Sequence, residues 1–284
     1  MMLSRNMCGI VCGLMVGLLV FCAGCVSGRM TQMDSNRTGK LIFEENFSDD
    51  TWQDRWTVEG GADMAVRREE ETSHLEVTTK SRATAMSVLW CKQRFPGNCR
   101  YEFRAKAESH HNPIIYFHAR PAESSGADTI FAWKREATSM EEYAGRPYIE
   151  MYSVGILRDH QPACNLRFLG GTGTSEAFHK YWKHGKFERY DAESVFHSYP
   201  APSFGKPDTW FVFALQVKGK RITLDIDGKR VMDLDDPGRS SSGDYTWKPL
   251  ADGGWFAFQA FVMGAQRRQC LDYLKVYQLP SQEE

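Results

Sequence analysis

The sequence lacks the signatures of several common binding proteins. It has no P-loop, no dinucleotide-binding fingerprint and no zinc-ribbon spacing of cysteines. It also lacks an excess of either charge, because 35 Lys and Arg face 36 Asp and Glu, for a net charge of -1. A nearly neutral chain has little electrostatic basis for binding nucleic acid, so we expect no such partner. The 284 residues are 42% hydrophobic, which supports a substantial core and argues against global disorder.

The N-terminus lacks charge almost entirely. Arg5 is the only charged residue before Arg29, and between them runs MCGIVCGLMVGLLVFCAGCVSG. A short basic region, an apolar run and then small residues are typical of a secretory signal. The run is also long enough for one membrane span, and its glycines recur every four residues, as on a helix-dimer face. Its end, CAGC, resembles a bacterial lipobox, in which Cys25 would be the lipidated first residue of the mature chain.

We favour the lipoprotein interpretation because the small residues and Cys25 fall at the end of the apolar run. Residues 1–24 are then a signal peptide, and the polar residues 25–40 are a flexible tether. Residues 41–279 are predicted to form one domain, and 280–284 a tail. Because Val26 is not the Asp that would hold a lipoprotein at an inner membrane, we expect a lipid anchor in the outer membrane, on the periplasmic or the cell-surface side.

Long helical periods and internal repeats are missing after residue 40. Short helices are expected only at 139–143 and 175–183. A dozen short segments with apolar or alternating residues stand between turn residues such as Asp227-Gly228. Many short strands without intervening helices favour an all-β fold, a jelly-roll sandwich of two antiparallel sheets. The predicted strands are LIFEENF, SHLEVTT, AMSVLWC, YEFRAKA, PIIYFHAR, YIEMYSVG, CNLRFL, WFVFALQVK, RITLDIDG, KRVMDL, GWFAFQAFV and LDYLKVYQL.

Four of these strands have one apolar face and one face of aromatic, amide and charged side chains. Successive strand residues point to opposite faces, so residues two apart share a face. We therefore expect the strands around His118, Glu150, Asn165 and Gln259 to line one cleft. The residues that share the polar face on each strand are Tyr116, His118 and Arg120; Tyr148, Glu150 and Tyr152; Asn165 and Arg167; and Trp255, Ala257, Gln259 and Phe261.

The polar faces have two interpretations. An antiparallel sheet commonly has one side in water, and this alone explains the alternation. However, solvent-facing positions are usually Lys, Glu, Thr and Ser, whereas Tyr, His, Arg, Asn, Gln and Trp hydrogen-bond and stack sugars. The composition of these faces favours a glycan-binding cleft over an ordinary solvent-exposed face of the sheet.

Several motifs carry a family resemblance. The opening LIFEENF and the close LDYLKVYQL resemble concanavalin-A-like jelly-roll domains of carbohydrate-active proteins. More narrowly, WTVEGG, LWCKQRFPG, CNLR, the following Phe178-His179 and GWFAFQ resemble the uncharacterised YesU-like family. The resemblance implies a role in bacterial use of plant or algal polysaccharide. It carries over Asn165, Arg167 and His179 as substrate contacts. His118 and Arg120 have no place on the family pattern.

Three activities fit these residues. Hydrolysis usually needs two carboxylates across the scissile bond, but the E-x-D-x-x-E motif of jelly-roll glucanases is absent. Elimination needs donors that neutralise a uronate and a Tyr or His for proton transfer, and it is slightly favoured. Glycan binding without catalysis is the remaining alternative. The predicted catalytic residues are Arg167, Tyr152, His118 and Glu150; the predicted substrate-binding residues are Asn165, His179, Gln259, Tyr148, Arg120 and Trp255.

No cofactor is expected. His110 and His111 are adjacent, so on a strand they would point oppositely, and a turn is a better interpretation than a metal site. A structural Ca²⁺ is not indicated by any motif. Cys91 and Cys99 flank FPGN, where either a disulfide or two buried thiols would fit. Cys164 is expected to be a core thiol.

Overall fold

The structure is a computed structural model. It describes residues 39–69, 72–79, 86–107, 114–132, 148–157, 163–170, 195–200, 208–239, 246–261 and 267–281. The predicted signal peptide, Cys25, His179 and both expected short helices lie outside these residues. No helix in the described part is long and apolar enough to cross a membrane.

The described residues are mostly β-strand. They hold one short α-helix, α1 (Trp52–Arg55), and two 3-10 helices, Glu123–Ser125 and Ile130–Ala132. The strands are β1 (Lys40–Glu45), β2 (Trp56–Gly60), β3 (Asp63–Arg68), β4 (Ser73–Thr79), β5 (Met86–Cys91), β6 (Cys99–Ala107), β7 (Ile114–Pro121), β8 (Ile149–Leu157), β9 (Ala163–Leu169), β10 (Val195–Pro200), β11 (Phe211–Lys218), β12 (Arg221–Ile226), β13 (Lys229–Asp235), β14 (Trp255–Phe261) and β15 (Arg267–Gln278).

Two antiparallel sheets contain all of these strands. The eight-stranded sheet has the order β13-β12-β11-β6-β15-β4-β3, and β1 pairs with the C-terminal half of β15 beyond the end of β4. The seven-stranded sheet has the order β10-β9-β8-β7-β14-β5-β2. The four strands expected to line one cleft are therefore immediate neighbours, in the order β9, β8, β7 and β14.

The main core fills the space between the sheets. Phe103 and Phe213, on neighbouring strands of the eight-stranded sheet, stack with their ring centroids 4.9 Å apart. Phe258 of the seven-stranded sheet packs edge-on against Phe103 at 5.0 Å. Because aromatic rings from both sheets interlock here, this apolar layer fixes how the two sheets pack.

All twelve predicted strands are present in the described residues, and Asp227-Gly228 forms the predicted two-residue turn between β12 and β13. Both turn residues have positive φ, 49° and 75°, as this hairpin type requires. The prediction missed β2, β3 and β10. These strands carry Gly or several polar residues, so their hydrophobic alternation is weak.

Candidate functional site

The face of the seven-stranded sheet that points away from the main core carries a second apolar cluster. We call it the outer face. Its buried members include Trp90, Tyr116, Met151, Trp255 and Ala257. Solvent-facing strands rarely bury so many large side chains, so this face differs from an ordinary wet side of a sheet.

A row of paired residues crosses the centre of the outer face. Ala257 pairs with Tyr116, Tyr116 with Ser153, and Ser153 with Arg167, on β14, β7, β8 and β9. Directly paired residues lie about 4.5–5.5 Å apart, so Tyr116, Ser153 and Arg167 span about 10 Å. The three side chains are 0%, 2% and 7% exposed. The row therefore brings a phenol, a hydroxyl and a guanidinium together in a largely buried setting.

Hydrogen bonds and stacking fix the Tyr116 side chain. Its hydroxyl donates a hydrogen bond to Oε1 of Gln259, which is fully buried on β14. Its ring stacks on Trp90 with centroids 6.0 Å apart. Since a buried polar group is held by its partners, the phenol has a defined orientation. Sequence reasoning placed Tyr116 on the polar face but did not select it as a site residue.

A glycine makes room for Arg167. A Cβ atom on Gly155 of β8 would lie 3.4 Å from Nη1 of Arg167 and 3.9 Å from Cγ1 of Ile114. The guanidinium therefore extends across β8 at the position where that strand has no side chain. A side chain larger than Ala at residue 155 would compete with Arg167 for this space.

Glu59 is an acid on the outer face that sequence reasoning missed. It lies on the edge strand β2, is 8% exposed and accepts a hydrogen bond from Nε1 of Trp90 at 3.1 Å. The two glycines of the segment VEGG predict a turn, so the sequence did not indicate the strand β2 that contains Glu59. The pairing of Glu59 with Val88 could have been inferred only from the sheet order.

His118 is not on the outer face, so its predicted place beside Tyr116 is wrong. A register shift between Phe117 and Arg120 interrupts the alternation, and His118 has φ of 50°. The ring is fully buried on the core side, where Nδ1 donates to the carbonyl oxygen of Leu250 at 2.7 Å. Nε2 therefore accepts from the thiol of Cys99, at 3.6 Å. Burial lowers the pKa of His118 to about 4.

Tyr152 also faces the core, and here the predicted face is inverted. Met151 belongs to the outer cluster, whereas Tyr152 packs against Phe117 and Phe168 in the main core. Its hydroxyl donates to Asp236 and accepts from the Leu250 N–H at 2.8 Å. Burial and the neighbouring Asp236 carboxylate raise the pKa of Tyr152 far above its ordinary value. The Tyr152 hydroxyl therefore has a structural role in the core.

Glu150 and Arg120 form an ion pair, with Nη2 2.9 Å from Oε2. Alternation along β8 places Glu150 on the side of Tyr152, and Arg120 pairs with it across the strands. The Glu150 carboxylate therefore pairs with Arg120 on the core side of the sheet.

The remaining predicted residues are scattered. Trp255 is on the outer face, donates from Nε1 to the Lys92 carbonyl oxygen at 3.2 Å and meets Phe131 edge-on. Tyr148 is 44% exposed just before β8. Asn165 occupies a β9 position that pairs with Gly155.

Within the described residues, Cys91, Cys99, Cys164 and Cys270 are buried free thiols.

Solved structures with a similar fold are numerous. A Bacillus subtilis protein of unknown function with a galectin-like fold matches at 17% identity and a TM-score of 0.62, covering 87% of this chain and 99% of that one. The exoplasmic/lumenal domain of VIP36, in a Ca²⁺/Man3GlcNAc-bound form, matches at 14% identity and a TM-score of 0.51, covering 81% and 86%. A structure from work on endo-acting O-glycanases of the human gut microbiota matches at 14% identity and a TM-score of 0.50, covering 85% and 100%.

These likenesses confirm the predicted fold, an all-β, concanavalin-A-like jelly roll of two antiparallel sheets. No curated protein matches the chain. A family model does match, over residues 40–268, which include the whole seven-stranded sheet with its row of Tyr116, Ser153 and Arg167, and the eight-stranded sheet except most of β15. By this match the chain belongs to the family of 3-keto-alpha-glucoside-1,2-lyase-like domains.

Proposed function

We propose that this domain is a carbohydrate lyase that expels the C1 substituent of a 3-keto-glucoside by elimination across C1 and C2. The family to which the chain belongs is described by this activity. The observation that carries the proposal is the buried row of Tyr116, Ser153 and Arg167, with Gln259 beside it. This row supplies hydrogen-bond donors and one fixed positive charge.

The reaction has two demands. The C2 proton is acidic because it lies next to the C3 carbonyl, and its removal leaves negative charge on the C3 oxygen. When that electron pair returns to form the C1=C2 bond, the C1–O bond breaks and the departing oxygen takes a proton. A lyase therefore needs a donor for the developing oxyanion and a side chain that transfers protons.

Arg167 meets the first demand in this proposal. Its guanidinium is always charged and presents several N–H donors in a planar fork. It is 7% exposed, and a buried charge interacts more strongly with a developing oxyanion than an exposed one. Gly155 provides the space in which the guanidinium extends over the neighbouring strand.

Tyr116 meets the second demand. Its phenol lies one strand from Ser153 and two from Arg167, so one sugar ring can reach both Tyr116 and Arg167. Gln259 and Trp90 hold the phenol in place. Tyr116 thus takes the role that the sequence interpretation gave to Tyr152 and His118.

Hydrolysis by two carboxylates has less support. Among the strand residues that the structure describes on the outer face, Glu59 is the only acid. Five strand steps separate β2 from β9, which places Glu59 roughly 24 Å from Arg167. Glycosidase carboxylates lie about 5–10 Å apart across one bond. Glu150 cannot supply the second one because it faces the core side and pairs with Arg120.

We further propose that the protein is exported, cleaved before Cys25 and anchored by lipid, so that it meets its substrate outside the inner membrane. The resemblance to the YesU-like family supports a plant or algal poly- or oligosaccharide as the source of the sugar. Mass spectrometry of membrane-extracted protein tests the anchor. An acylated N-terminal Cys25 is expected, and retention of Met1 or an unmodified Cys25 would contradict it.

The activity is tested by incubating purified protein with a 3-keto-α-glucoside and, separately, with the parent glucoside and with uronate-rich and sulfated polysaccharides. Mass spectrometry should find an unsaturated keto sugar, one water lighter than the hydrolysis product, from the 3-keto substrate only. In heavy water, recovered substrate should gain deuterium at C2 if proton removal is reversible.

Each other outcome contradicts part of the proposal. A free 3-keto sugar without the unsaturated product would show a hydrolase. An unsaturated uronate, detected by its ultraviolet absorbance, would retain elimination but change the substrate. Saturable binding without turnover of any substrate would show a glycan-binding protein.

A further inference from the structure

A second cluster of polar side chains lies on the eight-stranded sheet, away from the candidate site. His74 and Glu76 are two residues apart on β4 and therefore share a face, and Cys270 of β15 pairs directly with Glu76. One ligand atom from each of the three residues lies within 4.8 Å of the other two. We propose that His74, Glu76 and Cys270 form a binding site for Zn²⁺.

The ligand types favour zinc over a harder cation. An imidazole, a carboxylate and a thiol together suit Zn²⁺, whereas Ca²⁺ and Mg²⁺ take oxygen ligands. Bonds of about 2.0–2.3 Å place neighbouring donor atoms of a tetrahedral zinc about 3.3–3.8 Å apart. The observed separations of up to 4.8 Å mean that metal binding would draw the ligand atoms inward by about 1 Å.

Burial distinguishes this cluster from chance surface groups. His74, Glu76 and Cys270 are 4%, 8% and 3% exposed. Burial lowers the pKa of His74, which favours the neutral imidazole that binds metals. Burial raises the pKa of Cys270 to about 11, so the thiol is protonated in the metal-free protein. Metal binding would replace the S–H bond by an S–Zn bond and release that proton to solvent.

Charged side chains contact two of the proposed ligands. Arg67 Nη2 lies 2.8 Å from Oε1 of Glu76, and Arg268 Nη1 lies 3.3 Å from Oε2. Each carboxylate oxygen has two lone pairs, so Oε2 can bind the metal and keep its contact with Arg268. Glu69 Oε1 is 3.9 Å from Nδ1 of His74, and a movement of about 1 Å would bring it into hydrogen-bond distance, from which a carboxylate orients a metal-bound imidazole.

The fourth coordination position would face a cavity. His74 and Glu76 line a cavity of about 940 Å³ that is also lined by Arg67, Lys106 and Arg268. Three protein ligands with one open position are typical of a zinc site that keeps a water or an exchangeable ligand. The sequence alone predicted no metal here, because Cys270 is far from His74 along the chain and the three residues form no recognised spacing.

Cobalt binding tests the site without reference to carbohydrate activity. Full-length protein is treated with a chelator, dialysed and titrated with Co²⁺, and the spectrum is recorded. We expect a thiolate-to-cobalt charge-transfer band and tetrahedral d–d bands that saturate at one equivalent and disappear when Zn²⁺ is added. Zn²⁺ should also raise the melting temperature in proportion to the logarithm of its concentration.

Three variants decide the assignment. Cys270→Ser should remove the charge-transfer band, and His74→Gln should weaken Zn²⁺ binding by more than the 10–100-fold that loss of an outer-shell partner costs. Cys164→Ser, a buried thiol of the other sheet, is the matched control and should bind like the wild type. Circular dichroism confirms that each variant is folded. No saturable band in the wild type, or the same band in Cys270→Ser, would overturn the proposal.

Discussion

Tyr116 and Tyr152 lie on neighbouring strands of one sheet and face opposite ways. Tyr152 faces the core, where its hydroxyl joins Asp236 and the Leu250 backbone and so connects the seven-stranded sheet to the segment after β13. Tyr116 is equally buried but faces outward, in a row with Ser153 and Arg167. The same residue type thus joins the core on one face and belongs to the row of the candidate site on the other. The comparison teaches that burial alone does not distinguish these roles, whereas the partners of each hydroxyl do.

Tyr116→Phe should produce the largest effect. Removing the hydroxyl removes the proposed proton transfer, which contributes about 10²–10⁴-fold in rate. Stability should fall by about 1–3 kcal/mol, since the buried Oε1 of Gln259 loses this donor. Steady-state kinetics and denaturant unfolding measure the two effects. Wild-type turnover in this variant would exclude Tyr116 from the reaction.

Protonation of His118, which lies on the core face, should lower the stability of the protein in acid. The folded state lowers the pKa of this ring from 6.5 to about 4 and therefore favours the neutral form. The contribution of the neutral ring to the free energy of unfolding is complete above pH 6.5. It is lost as the pH falls from 6.5 toward 4, by about 3 kcal/mol in all.

Unfolding free energies at pH 7 and pH 4.5, for the wild type and His118→Gln, measure this contribution. The wild type should lose about 2–3 kcal/mol more than the variant between the two pH values. His74, which also has a lowered pKa, is common to both proteins and cancels in the difference. Parallel losses in the two proteins would show that His118 is not the group responsible.

Tyr152→Phe should reverse the pattern of Tyr116→Phe. The substitution leaves the Leu250 N–H without its acceptor and removes a donor from Asp236, at a cost of about 1–3 kcal/mol. Turnover per folded molecule should stay near the wild-type value. A rate loss as large as that of Tyr116→Phe, with the protein still folded, would abolish the distinction between the two faces.

Arg221→Ala on the eight-stranded sheet should have the smallest effect. Arg221 is 61% exposed and pairs with Asp233 at 2.8 Å. Ion pairs between exposed side chains contribute little to stability, and they weaken with salt. Thermal melts in low and high salt measure the difference, and turnover should not change. A larger loss of stability would show that the Arg221–Asp233 pair contributes more than an exposed ion pair does.

Strand positions were predictable because alternation and turn residues are local properties of the sequence. Alternation also showed that Gln259 shares a face with Trp255, and that Arg167 lies opposite Leu166. It did not show which face meets the core, and for YIEMY the side with Tyr152 was wrongly placed outside. A residue period of two fixes which side chains share a face but not where that face points.

Two errors had causes outside the local sequence. The irregular pairing at His118 depends on how β7 meets β8, and a single residue with positive φ moved this ring into the core. The partner of Tyr152 is Asp236, which is distant in sequence and could not be paired with it in advance. The sequence therefore predicted the strands of the candidate site and its residues Arg167 and Gln259, but it did not select Tyr116, Ser153 or Glu59.

The most direct test compares Arg167→Lys with Arg120→Lys, assayed on the 3-keto-glucoside and in denaturant unfolding. Both substitutions keep the charge and lose the planar fork. If Arg167 stabilises the oxyanion, its replacement should lower kcat/KM by about 10²–10³-fold with little change in unfolding free energy, whereas Arg120→Lys, which alters only the pair with Glu150, should retain activity. Wild-type kcat/KM in Arg167→Lys, or equal losses in both variants, would contradict the account.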